Sequence, residues 1–352
     1  MEGYRVDYYN NTKIIEVKTD YDKSMVLDFL KEQELGLDAD VEYTIALLEN
    51  HKIIGTGSLE GRVLKSIAVD PKYQGLNITN KIITKLINEA YTRGETHLFI
   101  YTKPKYGDLF ENLGFYKIAE VPNSVSLLEN KSNGIKSYVK ELERFKFKRD
   151  KVAALVMNCN PFTLGHQYII EKAAFENDIV HIFIVWEDRS SFPSEIRYNL
   201  VKEGTKHLSN VFIHRGSDYI ISNATFPSYF IKEPNDIVET HAKLDLEIFK
   251  NYIAPALDIN KRYIGEEPYC LVTRTYNKLM KKILPESNIE VEEIKRLEVE
   301  GEYISASKVR AEIIRGELIG IKNFLPEVTY NFLISSEGEK IIENMKDLNN
   351  RH

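Results

Sequence analysis

Residues 152–166 read VAALVMNCNPFTLGH, and this stretch decides the fold of the second half of the chain. Its first six residues, Val152–Met157, form a continuous apolar run, which is typical of a strand buried on both faces in a parallel sheet. A polar segment with a proline and a glycine follows, and a helical pattern then runs from His166 to Asn177. The order strand, loop, helix therefore predicts the first crossover unit of an α/β fold.

The same alternation of strand and helix continues towards the carboxyl terminus. Further strands are predicted at DIVHIFIVW (178–186), VFIHRG (211–216), RYIGEE (262–267) and IEVEEIKRL (289–297). Helical patterns lie near residues 195–208, 235–252 and 274–284. Strands that alternate with helices imply right-handed crossovers and a doubly wound parallel sheet.

The first half of the chain has a different rhythm. Within residues 41–120 the apolar stretches are short and are broken at 49–51 and 60–62, as in a meander of antiparallel strands. An amphipathic helix is predicted at 80–90, because apolar residues recur there on one helical face. This half therefore predicts a second α/β fold, with a mainly antiparallel sheet.

Composition and charge limit the class of protein. The chain has 352 residues, of which 43% are hydrophobic and 28% are charged, so there is enough material for two globular cores. The charged stretch at 140–151 is the candidate linker, and we predict two domains, residues 1–147 and 148–352. The 47 basic and 53 acidic side chains give a net charge of −6, which argues against nucleic acid as a partner.

Cysteine usage and hydropathy indicate the compartment. Only Cys159 and Cys270 occur, so there is no disulfide framework, and a reducing compartment is expected. Residues 1–20 have no apolar core of signal-peptide length, and no apolar run approaches the roughly 20 residues that span a bilayer. We therefore expect a cytoplasmic protein with no membrane partner.

The loop after the first parallel strand carries the residues of a phosphate site. In an α/β sheet the ligand lies at the carboxyl ends of the strands, where helix amides attract a phosphate. Gly165 allows close approach of the backbone, while Thr163 and His166 add a hydroxyl and an imidazole. Thr163–His166 resembles the T-x-G-H motif of the nucleotidyltransferase superfamily, whose fold is Rossmann-like. The resemblance implies that ATP is bound by Asn158, Asn160, Phe162, Thr163, Gly165 and His166.

A second motif, ISASKVR, lies at Ile304–Arg310 and opens a predicted helix. It is similar to the I-S-S-T-x-x-R signature of the same superfamily, whose amides, hydroxyls and terminal arginine hold the β- and γ-phosphates of ATP. Ala306 and Ser307 depart from that pattern, so one hydroxyl is lost. The resemblance implies that pyrophosphate is bound by Ser305, Ser307 and Arg310, with Lys308 as an extra cation.

A third motif, IAVDPKYQGLNIT, lies at Ile67–Thr79 and precedes the amphipathic helix. It is similar to the acetyl-CoA motif of the GNAT acetyltransferases, in which a strand, a Q/R-x-x-G-x-G/A turn and a helix N-terminus hold the pyrophosphate of CoA. Gln74 and Gly75 match, whereas Asn77 and Thr79 stand where the family prefers glycine or alanine. The resemblance implies a GNAT-like domain in which a CoA-like arm contacts Ile67, Val69, Gln74, Gly75, Asn77, Ile78 and Thr79. Whether this domain also catalyses a transfer stays open.

A GNAT-like domain followed by a T-x-G-H domain is an uncommon pairing, and the whole chain resembles the citrate lyase ligase family. The resemblance extends to three segments at predicted strand ends, residues 187–193, 262–268 and 272–277. It implies that ATP and acetate give acetyl-AMP and pyrophosphate, with Mg²⁺ accompanying the ATP. The acetyl group then passes to the thiol of the CoA-derived prosthetic group on the acyl carrier subunit of citrate lyase, and AMP is released.

The family resemblance also assigns roles to residues. The expected catalytic residues are Thr163, His166, Lys308 and Arg310. Gly265 and Glu266 are placed for contacts with the ribose or the adenine, and no protein metal ligands are expected. Arg189 and Arg197 could reach a phosphate or a carboxylate, although exposed arginines are more often solvated, and we favour solvated side chains for both. We interpret His207, His214 and His241 as ordinary histidines and Cys159 as a small buried thiol.

Two alternative functions stay open at this point. An adenylyltransferase that joins AMP to phosphopantetheine or a mononucleotide would share every phosphate-binding residue. A regulator that binds CoA or a nucleotide without turnover would also fit the imperfect GNAT turn. The fate of AMP distinguishes the enzymes, since an adenylyltransferase retains it in the product whereas a ligase releases it.

Overall fold

The computed structural model of the protein describes residues 12–187, 189–221, 226–227, 229–231, 234–299 and 301–349. We predicted that residues 1–20 contain no signal peptide. Residues 1–11 of that segment lie outside the described residues. Close contacts group the chain into two units, one of Met1–Gly134 with Pro227–Thr240 and one of Ile135–Phe226 with His241–His352. The domain limits predicted at residues 147 and 148 stay a prediction, because contacts alone do not define a part that folds by itself.

The first unit is built on a seven-stranded sheet. Its strands are β1 (Thr12–Glu16), β2 (Tyr43–Glu49), β3 (Lys52–Glu60), β4 (Val63–Val69), β5 (Phe99–Thr102), β6 (Tyr116–Val121) and β7 (Val125–Glu129). Its helices are α1 (Asp20–Glu32), α2 (Ile78–Thr92) and α3 (Gly107–Glu111). The strand order is β1-β2-β3-β4-β5-β7-β6, and only β4 and β5 run parallel. The predicted meander is confirmed as β2–β4, and the predicted helix as α2.

Helix α2 lies against β3 because two glycines in that strand leave room for it. A Cβ added at Gly57 would lie 2.6 Å from Cγ2 of Ile82, and one at Gly55 would lie 2.9 Å from Cδ1 of Ile82. Ile82 and Leu86 are fully buried in the core, and each such side chain contributes roughly 1.5–3 kcal/mol. This packing holds the N-terminus of α2, which ends the GNAT-like turn, at a fixed place beside the sheet.

The second unit is built on a five-stranded parallel sheet. Its strands are β8 (Val152–Met157), β9 (Ile179–Ile184), β10 (Val211–Arg215), β11 (Lys261–Gly265) and β12 (Glu290–Ile294). The strand order is β10-β9-β8-β11-β12, with every neighbouring pair parallel. The chain moves outward from β8 to β10 and returns on the other side of β8, so the order reverses between β8 and β11. The predicted doubly wound sheet is confirmed, and this reversal is where such sheets bind ligands.

The remaining elements follow along the chain. The helices after α3 are α4 (Gly134–Leu142), α5 (Leu164–Glu176), α6 (Ser194–Gly204), α7 (Pro234–Ile248), α8 (Ala254–Leu257), α9 (Leu271–Ile283), α10 (Ala306–Arg315), α11 (Glu327–Leu333) and α12 (Ser336–Asn349). Two short strands, β13 (Glu298–Val299) and β14 (Glu302–Tyr303), pair just before α10. Helices α10–α12 share a small apolar cluster around Val309, Ile313 and Leu333. Among the described residues, no helix has the length and apolar character needed to cross a bilayer.

Candidate active site

The T-x-G-H segment forms a capping box at the start of α5. Thr163 is the N-cap, with an extended backbone at φ −118°. Its hydroxyl accepts a hydrogen bond from the His166 amide at 3.4 Å, and its own amide donates to Nδ1 of His166 at 3.1 Å. Because Nδ1 accepts from a backbone N–H, the neutral imidazole carries its proton on Nε2. Nε2–H is therefore the donor that His166 can offer to a phosphate.

The surroundings of His166 keep its ring neutral. Burial, together with the positive charges of Arg296 and Arg310, lowers the pKa of His166 to about 4. At neutral pH the imidazole is therefore an uncharged hydrogen-bond donor beside two guanidiniums. A phosphate bound here would bring negative charge and raise that pKa again, since nearby anions favour the imidazolium.

The two phosphate motifs meet in the folded chain. Nη1 of Arg310, on α10, donates to the carbonyl of Asn160 at 2.5 Å. A Cβ added at Gly165 would lie 3.5 Å from Cγ2 of Ile304, so the backbone of the first motif packs on the second. Ser305 is the N-cap of α10, and its hydroxyl makes no capping hydrogen bond. Two helix N-termini, whose first-turn amides have no partners within their own helices, thus lie close together, as a phosphate chain requires.

The other polar side chains of the second motif make no hydrogen bond to the first motif in the described structure. The Lys308 ammonium pairs with the Glu302 carboxylate and lies 5.3 Å from the centroid of the Phe324 ring. Ser307 is exposed, and Ser305 is half-buried. The predicted roles of Lys308, Ser305 and Ser307 towards pyrophosphate stay predictions.

Arg296 is a cation of this site that the sequence analysis missed. Its Nε donates to the Glu266 carbonyl at 3.0 Å, and its Nη2 donates to Oε2 of Glu267 at 2.6 Å. Its charge contributes to the lowered pKa of His166, so it belongs to the same electrostatic environment. The available signal was its position at the carboxyl end of a predicted parallel strand, where ligand-contacting residues are expected.

The interpretation of Arg197 as a solvated arginine was wrong. Its side chain is 0% exposed, and Nη1 donates to Oδ1 of Asn158 at 2.6 Å and to the Val185 carbonyl at 2.8 Å. Nη2 donates to the Glu187 carbonyl. Arg197 therefore ties the loop after β8 to the loop after β9, and a buried guanidinium is stable there because its donors meet carbonyl and amide oxygens.

Three residues of the first motif shape the loop from inside. Phe162 has no exposed surface, and its ring lies 6.3 Å from the His166 ring, at 21° to it. Oδ1 of Asn160 accepts from the Phe192 amide at 3.0 Å. Cys159 is buried, as expected, and burial raises the pKa of its thiol to about 12. The Phe162 ring therefore lies beside His166, and the predicted contact of ATP with Phe162 stays a prediction.

A cavity of about 480 Å³ opens where the strand order reverses. β8 and β11 pair only at Ala153–Lys261 and Ala154–Arg262, and the cavity is lined by residues beyond that pairing, among them Asn158 and Gly265. Both residues were predicted to contact ATP. Glu266 is exposed and does not line the cavity, while its amide donates to the Ile294 carbonyl at 2.8 Å. The structure thus brings Gly265, rather than the Glu266 side chain, to this space.

The usual protein ligands of metal ions are His, Cys, Asp and Glu side chains. Among the described residues, no group of three or more of these side chains is arranged so that it could hold a metal ion. The histidines have other partners: His214 lies 2.9 Å from Nδ1 of His181 through its Nε2, and His207 lies 3.1 Å from Oε1 of Glu171. The expectation that Mg²⁺ arrives with ATP stays a prediction.

The first unit holds a cavity of its own, of about 340 Å³. It lies beside β4 and β5, which pair only at Val63–Phe99 and Leu64–Ile100 and carry lining residues beyond that point. Five of the seven residues predicted to contact a CoA-like arm line it, namely Ile67, Val69, Gln74, Gly75 and Thr79.

The other two residues of that prediction lie elsewhere. The Ile78 side chain is 1% exposed and packs in the core, and the predicted contact of Ile78 with a CoA-like arm stays a prediction. Asn77 is the N-cap of α2 and adopts the left-handed conformation at φ 60°. Glycine adopts this conformation without strain, and asparagine tolerates it better than most side chains, so Asn77 fits this turn.

Known proteins resemble both units. Residues 152–333 match the citrate lyase ligase C-terminal domain, and residues 16–125 match the acetyltransferase (GNAT) domain. The chain is 40% identical over 332 residues to the citrate (pro-3S)-lyase ligase of Escherichia coli (strain K12), covering 92% of this chain and 94% of that protein. The chain belongs to the citrate lyase ligase family. It is also 38% identical over 327 residues to the ligase of the same name from Klebsiella pneumoniae, covering 92% and 96%.

Membership in the citrate lyase ligase family confirms three predictions made from the sequence. The family resemblance was correct, and the chain is an enzyme of the ligase class. The fold is also as predicted, with a GNAT domain in the first half and a doubly wound parallel sheet in the second. The residue roles are a separate matter, because similarity over the whole chain does not assign chemistry to individual side chains.

Proposed function

We propose that this member of the citrate lyase ligase family activates acetate with ATP and then acetylates a carrier-bound thiol. The observation that carries the proposal is the meeting of the α5 and α10 N-termini around His166 and Arg310. Such a pair of helix ends, with cations and an uncharged N–H donor, is complementary to the phosphate chain of a nucleoside triphosphate.

The first step needs no acid–base group of the protein. An acetate oxygen attacks the α-phosphorus of ATP, a new O–P bond forms, and the bond to the β-phosphate breaks with its electron pair leaving on pyrophosphate. Acetate is an anion at neutral pH, so no proton has to be removed. We assign to Nε2–H of His166 and to Arg310 the stabilisation of charge on the phosphate oxygens as pyrophosphate departs.

Mg²⁺ would be held mainly by the phosphates and water, since the described residues form no cluster of metal ligands. When bound, it would neutralise the triphosphate charge that the attacking carboxylate has to approach. The side chains of Arg296 and Arg310 would act on the same charge from the protein side.

The second step transfers the acetyl group to sulfur. The thiol attacks the carbonyl carbon of acetyl-AMP, a thioester forms, and AMP leaves with the electrons of the C–O bond, while the thiol proton passes to solvent or a base. The relatives from Escherichia coli and Klebsiella pneumoniae are named as ligases of citrate (pro-3S)-lyase. We therefore propose that the acceptor is the CoA-derived arm on the acyl carrier subunit of citrate lyase, and that the 340 Å³ cavity of the first unit docks this arm.

We further propose that the enzyme works in the cytoplasm. Both cysteines are free, Cys159 buried and Cys270 exposed, which suits a reducing compartment. Detection of the protein together with citrate lyase in a cytoplasmic fraction would support this location, and its presence in the periplasmic fraction would contradict it.

Pyrophosphate release from ATP and Mg²⁺ tests the reaction. We expect release by the purified protein to depend on acetate, and hydroxylamine to trap acetyl-AMP as acetohydroxamate. Supplying the deacetylated acyl carrier should then yield AMP and a thioester in equal amounts. Release that ignores acetate but follows phosphopantetheine would make the chain an adenylyltransferase and remove the proposal.

A further inference from the structure

The second unit contains two buried arginines with opposite hydrogen-bond environments. Arg197 is 0% exposed; its Nε donates to the Phe192 carbonyl at 2.8 Å, and its Nη1 and Nη2 donate to the loop oxygens described above. Arg262, on β11, is 2% exposed, yet its Nε and Nη1 meet no acceptor among the described residues. Leaving buried N–H donors of a charged group unpaired is costly, so the first guanidinium is a structural tie and the second needs another explanation.

The neighbours of Arg262 hold its position but do not use these two donors. The guanidinium carbon lies 4.2 Å from the centroid of the Phe249 ring, a favourable place for a cation. The Tyr276 hydroxyl lies beside it and donates to the Asp245 carboxylate. Asp245 in turn accepts from the Ile221 amide at 2.9 Å. The carboxylate thus balances the charge of Arg262 through a hydroxyl, while Nε and Nη1 stay buried and unpaired.

Arg262 lines the 480 Å³ cavity at the strand reversal, next to the ATP loop. The other wall residues include an apolar set, Leu155, Met157, Ile221, Val272 and Met280. His241 also lines it, but its Nε2 lies 2.8 Å from the Ile221 carbonyl and donates to it, so Nδ1 of the neutral ring is an acceptor and cannot bind an anion. The wall also carries polar side chains, among them Asn158, Glu187, Arg189 and Asp245. A buried guanidinium with two unpaired donors beside the apolar set is complementary to a small carboxylate with an apolar tail.

We propose that Arg262 binds the carboxylate of the small acid that is activated, with the methyl group of acetate against the apolar wall. This inference rests on the proposed function for the identity of the acid. The protein would then have two separate anion sites: the N-termini of α5 and α10 bind the phosphates, and Arg262 binds the carboxylate. The cavity wall that contains Arg262 also contains Asn158 of the ATP loop, so the two proposed sites adjoin the same loop.

Acetate binding in the absence of ATP tests the role of Arg262 directly. A ligand that binds only the folded state raises the melting temperature, so acetate affinity can be read from the melting temperature as sodium acetate replaces sodium chloride. We expect Arg262→Gln and Arg262→Lys to weaken acetate binding by about 10- to 100-fold, the range for a lost hydrogen bond to a charged group. Arg215→Gln is the matched control, because Arg215 is an exposed arginine of the same unit that pairs with Glu195.

Steady-state pyrophosphate release gives the second readout. We expect the KM for acetate to rise by the same factor in the Arg262 variants, with the KM for ATP within about twofold of wild type. A merely structural arginine would change both KM values or neither. If Arg262→Gln does not fold, Arg262→Lys is judged by the same two measurements, since it keeps the buried charge.

Three results would overturn the inference: unchanged acetate affinity in a folded Arg262 variant, equal weakening of acetate and ATP, or protection by inorganic phosphate without protection by acetate. Failure of the proposed function looks different. In that case the wild-type protein would release no pyrophosphate in response to acetate, whatever the binding measurement shows for Arg262.

Discussion

His166 is the residue whose environment most restricts its chemistry. Its Nδ1 is engaged by the Thr163 amide, and burial with two nearby guanidiniums lowers its pKa to about 4. A general base at neutral pH would need a free lone pair, and a general acid would need a proton to lose readily; this ring offers neither. What it can offer is an N–H bond fixed in direction by the capping box, which suits charge stabilisation.

We therefore predict that His166→Ala lowers acetate-dependent pyrophosphate release by about 10²-fold or more, the effect of losing one charge-stabilising donor. The loss should appear in kcat, because the interaction strengthens as charge develops. His207→Ala is the matched control, since His207 is an exposed histidine of the same unit. Near-wild-type release by His166→Ala would show that another group carries the charge.

At the scale of single residues, the sequence predicted the features that are formed by residues close together in the chain. Thr163, Gly165 and His166 lie within four positions, so the residues that form the capping box can be recognised from a short stretch of sequence. Arg296, Arg197 and Arg262 were missed or misread, because nothing within a few residues of each announces its burial or its partners. Whether a guanidinium links two loops, lowers the pKa of a neighbouring group or binds an anion depends on the groups that the fold places around it.

At the scale of elements, the packing of α2 on β3 depends on the absence of side chains at two positions. We predict that Gly57→Ala destabilises the first unit by about 1–3 kcal/mol, because the new Cβ would meet Ile82 at 2.6 Å and displace the helix. Gly107→Ala is the control: nothing lies within 4 Å of its added Cβ, so up to about 1 kcal/mol of stabilisation is expected. Chemical denaturation of both variants checks this, and equal effects would contradict the packing argument.

Two buried histidines on the neighbouring strands β9 and β10 make the stability of the second unit depend on pH. His181 and His214 lie side by side on these strands, and burial lowers the pKa of both. Below about pH 6.5 both histidines bind protons in the unfolded chain, whereas in the folded chain they stay neutral. The free energy of unfolding therefore falls as the pH drops towards 4. Each unit by which a folded pKa lies below the unfolded one is worth about 1.4 kcal/mol.

We predict that the double variant His181→Leu, His214→Leu has a flatter dependence of unfolding free energy on pH between about pH 7.5 and pH 5. Urea denaturation at a series of pH values measures it. A double variant as acid-sensitive as wild type would assign the loss of stability to other groups.

At the scale of the whole molecule, the two cavities lie in separate units, so they should serve separable steps. We predict that Thr79→Trp, which fills the cavity of the first unit, leaves acetohydroxamate formation intact but lowers acetylation of the acyl carrier thiol. A loss of about 1.4 kcal/mol of arm binding corresponds to about a 10-fold weaker interaction.

Thr84→Trp provides the matched control for that experiment, because Thr84 is exposed on the same helix and does not line the cavity. It should support both steps at wild-type rates. If Thr79→Trp acetylates the carrier as fast as Thr84→Trp, the arm does not use this cavity, and the GNAT unit has another role.

The sequence by itself determined the order of strands and helices, the parallel sheet and the two phosphate motifs, because hydrophobic period and helix capping act between near neighbours. It also carried the family, through motifs that are contiguous in the chain. Only the tertiary structure decided which distant groups share a site: Arg310 with Asn160, Arg296 with His166, and Arg262 with the cavity. The physical reason is that burial, charge and unpaired donors depend on what surrounds a side chain, and strands β8 and β11 become neighbours only when the sheet forms.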